Sequence, residues 1–165
     1  VDVGKSVSRV GGKAQSAVVK PLAESLKLEY SQFLELEVFT RFGALIDERT
    51  RRVIEHGRRI RAVFTQPQYA PLTVGEEVAL LLALSERILD ELPLEKIPVF
   101  RERLHDWLAA RVSDALTLDE RSPPLSDEAR GRLRSGLASL VHEIAPAVDS
   151  DKSSVATAPA PGVSG

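Results

Sequence analysis

The sequence predicts an all-α bundle of about five to six helices with a short non-helical N-terminal segment and a disordered C-terminal tail. Three observations lead there. Apolar residues recur at helical spacing from Lys13 onward, helix-capping residues stand just before those periodic runs, and proline clusters fall between them. No internal repeat of fixed period appears.

The elements follow in order. Residues 1–12, VDVGKSVSRVGG, lack helical periodicity and read as a short extended piece followed by a glycine turn. In Glu29–Phe42, the residues Tyr30, Phe33, Leu34, Val38 and Phe42 share a wide apolar face, a width that predicts packing on more than one side. Asp47 is placed to cap the next helix, whose stripe is Val53, Gly57, Ile60 and Phe64. Gln66–Pro71, QPQYAP, breaks it, because two prolines so close together cannot continue a helix. Thr73 and Glu76 form a T-x-x-E capping box that opens a helix expected to run to about Leu92, where Pro93 stops it. Phe100, Leu104, Trp107, Leu108 and Val112 mark the following helix, with Pro98 tolerated in its first turn. After the Ser122-Pro123-Pro124 loop, Ser126 caps a last helix with the stripe Leu133, Leu137, Leu140 and Ile144. From Asp149 to Gly165 there is no aromatic residue and little to bury, so that tail is expected to be disordered.

Composition narrows the functional classes. The 165 residues carry 22 basic and 24 acidic side chains, a formal net charge of -2. That balance gives no global field to attract nucleic acid or an anionic membrane. With no cysteine, disulfides and thiolate metal sites are excluded. With no methionine either, Val1 is expected not to be a native start, and the chain to be a processed product or a piece of a longer protein. The longest apolar run, Val78 to Leu84, is far short of the roughly 20 residues that cross a bilayer, so no membrane insertion is expected.

Several motifs lead nowhere. Gly4-Lys5-Ser6 suggests a phosphate-binding loop, but no glycine precedes it at the required spacing, and Val7, Ser8, Val10, Gly11 and Gly12 argue against the helix that such a loop needs. His56, His105 and His142 are isolated from any metal-ligand pattern and read as surface or boundary residues, with no metal site implied. Arg49, Arg51, Arg52, Arg58, Arg59 and Arg61 make the strongest nucleic-acid signal. Glu48 and Glu55 lie among them at i,i+3 and i,i+4 spacing, so ion pairs on a solvated face account for the run, and no nucleic-acid partner is expected.

A different stretch carries more. Ser6-Val7-Ser8-Arg9-Val10-Gly11-Gly12-Lys13-Ala14-Gln15 resembles the segment that closes the nucleotide-binding domain of F-type ATP synthase alpha subunits. Leu26-Lys27-Leu28, Tyr30, Glu35-Leu36-Glu37, Phe39, Phe42-Gly43, Leu45-Ile46-Asp47, His56-Gly57 and Gln66-Pro67-Gln68-Tyr69-Ala70-Pro71 follow in that family's order. The resemblance runs from Val3 to about Pro71 and weakens after Thr73.

It implies a division into the end of a nucleotide-binding domain at 1–19, a C-terminal helical domain at 20–148 and a tail at 149–165. It also implies that Arg9 is an arginine finger reaching the catalytic site of an adjacent beta subunit. A planar guanidinium with fixed donors can meet several equatorial oxygens of a transferring phosphoryl group, where lysine offers only a point charge. Gln66, Pro67 and Gln68 would lie on the adenine side of the alpha subunit's own non-catalytic nucleotide site. The implied cofactor is ATP with Mg2+ in the full subunit, with none bound tightly by this stretch alone. The implied partners are the beta and gamma subunits, in an alternating alpha/beta ring coupled to proton or sodium transport. The implied location is peripheral to the membrane, on the cytoplasmic side in bacteria or the matrix or stroma side in organelles.

Lys5, Pro67 and the length of the tail depart from the family's pattern and point to a divergent, alternative form. Read without the resemblance, the residues also fit a free-standing helical adaptor or a basic-helix nucleic-acid binder.

Overall fold

A computed structural model of the protein describes residues 16–43, 45–65 and 72–145. Five α-helices form it: α1 (Lys20–Arg41), α2 (Glu48–Thr65), α3 (Val74–Ser85), α4 (Ile97–Arg111) and α5 (Asp127–Ile144). Short 3-10 turns stand at Ile88–Glu91, Leu94–Lys96 and Ser113–Thr117, and there is no strand among the described residues. The all-α bundle expected from the sequence is therefore the fold.

At the centre lies α3. Every residue from Val78 to Leu84 is buried, as a helix that is apolar all round must be. The other helices surround it. α1 packs on α2 and α3, α5 packs on α3 and α4, and α4 reaches α2.

The expected caps are present. The Thr50 N–H donates to Asp47 Oδ1 over 2.7 Å at the start of α2. Thr73 and Glu76 form both bonds of the capping box on α3, and Ser126 Oγ accepts from the Ala129 N–H on α5. Gly43, at φ +77°, ends α1 in the left-handed conformation that glycine adopts without steric cost.

Two features differ from the sequence reading. The α1 face divides: Tyr30 and Phe33 are in the core, while Leu34, Val38 and Phe42 are 40%, 53% and 83% exposed. No α1 residue beyond Phe33 is buried, because the last two turns run past the core. The second difference is that α3 ends at Ser85 rather than near Leu92. Arg87 takes a left-handed φ of 57°, and the chain then turns so that Leu89 and Leu92 enter the core fully buried. Arg59 Nε donates to the carbonyls of Leu89 (2.9 Å) and Leu92 (3.3 Å), of which Leu89 also accepts from the Leu92 N–H.

A close crossing joins α1 to α2. A Cβ on Gly57 would sit 2.0 Å from Phe33 Cγ, so the phenyl ring lies directly on the glycine backbone. Gly136 of α5 similarly receives the Trp107 ring, at 2.6 Å from where a Cβ would be.

Two stability outcomes are expected. Gly57→Ala forces Phe33 away and should lower stability by about 1–3 kcal/mol, the usual cost of overpacking. Arg87→Gly should raise the melting temperature, because it removes roughly 1 kcal/mol of left-handed strain and loses only partly exposed ion pairs, which are worth less. Thermal melts followed by circular dichroism, each variant beside the wild type, measure both.

Candidate functional site

Arg9, Gln66, Pro67 and Gln68 all lie outside the described residues, as do the segments expected to form a non-helical head and a disordered tail. The structure describes what holds the flanks of these segments. On the N-terminal side, Ser16, Val18 and Val19 are buried, and the Val19 and Lys20 N–H groups both donate to the Ser16 carbonyl. The chain is thus anchored in the core seven residues after Arg9.

The 66–71 segment is anchored at both ends. Before it, Arg101 Nη1 donates to the Val63 carbonyl over 2.8 Å, joining α4 to the last turn of α2. Burial holds this guanidinium below its ordinary pKa. After the segment, Glu76 accepts from the Thr73 N–H with one carboxylate oxygen and lies 2.9 Å from His105 Nδ1 with the other. Side chains from α4 therefore clamp both ends of the connection between α2 and α3.

Two polar clusters cross-link the bundle. In the first, Arg61 of α2 forms a two-point pair with Glu37 of α1, at 2.8 and 2.7 Å, and its guanidinium lies 4.7 Å from the Phe33 ring centroid. The hydrogen bond from Arg61 holds the Glu37 carboxyl below its ordinary pKa against the opposing effect of burial, and the same bond raises the pKa of Arg61.

The second cluster overturns the surface or boundary placement expected for His56, while His105 and His142 are exposed as expected. His56 is 2% exposed. Its Nδ1 lies 2.7 Å from Asp90 Oδ1, and its Nε2 lies 3.1 Å from Glu29 Oε2, an ionic neighbour outside hydrogen-bond geometry. Arg87 completes the cluster, 3.4 Å from both Glu29 and Asp90. Burial alone would raise the Asp90 pKa. The His56 hydrogen bond, with the nearby charges of His56, Arg59 and Arg87, outweighs it and leaves the carboxyl below its ordinary value. The sequence signal for a buried His56 was its place beside Gly57, on the side of α2 that faces α1. Of the other two histidines, His142 is exposed and His105 meets Glu76.

The arginine run on α2 is similarly engaged within the chain. Arg51 and Arg52 pair with Glu48, as the spacing predicted. Arg59 and Arg61 go further and bind carbonyls, a carboxylate and an aromatic ring. Among the described residues, no group of three or more potential ligands could hold a metal ion, and no helix is long and apolar enough to cross a membrane.

Fold and clusters together define an all-α helical-bundle domain in which several charged side chains tie helix to helix. One end of its first helix is apolar and exposed. Residues 15–140 match the family described as ATP synthase alpha/beta chain, C-terminal domain, and the chain belongs to that family.

Its relatives include "ATP synthase subunit alpha 2" of Nitrosospira multiformis, 61% identical over 97 residues, which are 59% of this chain and 19% of that protein. "ATP synthase subunit alpha 1" of a Marinomonas strain is 46% identical over 128 residues, 78% of this chain and 25% of that protein. "ATP synthase subunit alpha 3" of Paraburkholderia xenovorans is 43% identical over 147 residues, 89% of this chain and 28% of that protein. The matched part of the chain thus spans 19% to 28% of the length of these relatives. The family match continues well past Pro71, through the helices where the resemblance of individual residues fades.

The lowered carboxylates of the two clusters set an expected pH response. Glu37 and Asp90 ionise more readily in the folded chain than at their ordinary values. Their contribution is therefore complete above the ordinary carboxylate range and is lost as pH falls through their folded values. Wild-type stability should decline on acidification below about pH 4, and a Glu37→Gln, Asp90→Asn double variant should be less stable at neutral pH and show a shallower decline. Urea denaturation midpoints from pH 7 to pH 3 provide the measurement.

Proposed function

We propose that this chain is the C-terminal part of the alpha subunit of a rotary ATP synthase. The observation that carries the proposal is the family match over residues 15–140, joined by relatives that are named alpha subunits at 43–61% identity. In this reading the subunit alternates with beta subunits in a ring around the gamma subunit. It supports ATP synthesis coupled to proton or sodium transport, and it sits peripherally at the membrane. The exposed Val38, Phe39, Phe42 and Leu45 suit a domain that meets other parts of an assembly. The numbering in the relatives' names, alpha 1, 2 and 3, suits a divergent form that exists beside another alpha subunit.

Arg9 supplies the finger. Its guanidinium reaches the neighbouring beta subunit's catalytic site and meets charge that develops on the equatorial oxygens of the transferring phosphoryl group. The buried Ser16–Val19 anchor supports this role, since a short, firmly based segment loses less entropy when its arginine is positioned. Gln66, Pro67 and Gln68 present backbone and amide groups to the adenine of the subunit's own non-catalytic ATP. The bonds at Val63 and Thr73 tie the described flanks of this segment to the bundle. ATP with Mg2+ binds in the full subunit, where other parts of the chain hold the phosphates.

The decisive test is substitution of Arg9 in the assembled complex. Arg9→Ala should lower steady-state ATP turnover by on the order of 1,000-fold, with nucleotide binding and assembly largely kept. Arg9→Lys should fail to restore it, because lysine keeps the charge and loses the fork. Normal turnover in the Arg9→Ala complex would remove the finger assignment.

A second outcome concerns nucleotide. The isolated chain should bind MgATP weakly or not at all, because phosphate contacts supply most of the orientation in such sites. Calorimetry showing micromolar affinity would contradict this and return attention to Gly4-Lys5-Ser6.

A further inference from the structure

We draw no further inference here: the strongest candidate, the exposed apolar face carried by Val38, Phe39 and Phe42 at the C-terminal end of α1 and by Leu45 and Ile46 beyond it, belongs to the assembly surface already proposed, and nothing in the structure shows what covers it.

Discussion

The seat of the Phe33 ring on the Gly57 backbone is the contact on which the rest of the bundle depends. Any side chain at Gly57 would occupy the space of the ring, so α1 and α2 approach as closely as they do because that position is glycine. The closeness then sets the neighbouring interactions. It puts Arg61 over the outer face of the ring and within two-point reach of Glu37. It also puts His56, the residue before the glycine, between the carboxylates of Glu29 and Asp90. An apolar contact thus positions two charged clusters, and these tie α1, α2 and the turn after α3 into one unit. Of these groups His56 is the fully buried one, so loss of its carboxylate neighbours is the costly change, while the half-exposed Arg87 pairs add little. The contribution of the clusters is to specify which helices meet and in what register.

Arginine does much of that specifying by binding backbone. Arg59 takes the carbonyls of Leu89 and Leu92, and Arg101 takes that of Val63. Each bond crosses from one helix to the end of another element; the Leu89 carbonyl also accepts from the Leu92 N–H, and the Val63 carbonyl lies in the last turn of α2, where helical acceptors run out. On the arginine-rich face of α2, which in the sequence resembled a nucleic-acid signal, Arg59 and Arg61 bind across to other elements, while Arg51 and Arg52 make exposed pairs with Glu48.

That history shows what the sequence revealed and what it left hidden. The caps at Asp47, Thr73 and Ser126 were legible because they depend on residues within one turn of each other. The stripe of α5 was legible because its whole apolar face is buried. The stop at Arg87 was not, since nothing local forbids a helix there; Leu89 and Leu92 turn inward for the sake of a core assembled from distant segments. The pairing of His56 with Glu29 and Asp90 was hidden for the same reason, as both partners lie far away in the chain. The split face of α1 was half visible: its width announced contacts on two sides, but not that one side would stay open among the described residues. The candidate residues Arg9 and Gln66–Gln68 came from resemblance to a family. The structure adds the anchors beside them and leaves their own roles to experiment.

The proposed role rests on the family match over residues 15–140. Beside it, the described flanks of the α2–α3 connection are tied to α4 and to the α3 cap, and Ser16, Val18 and Val19 are buried. The most direct test of that account is the native mass of the complex that purifies with the full-length protein when an affinity tag is placed on it. The account predicts a large assembly holding this protein and a beta-type partner in equal numbers together with a gamma-type chain. Recovery of the tagged protein alone, or with chains of another kind, would contradict it.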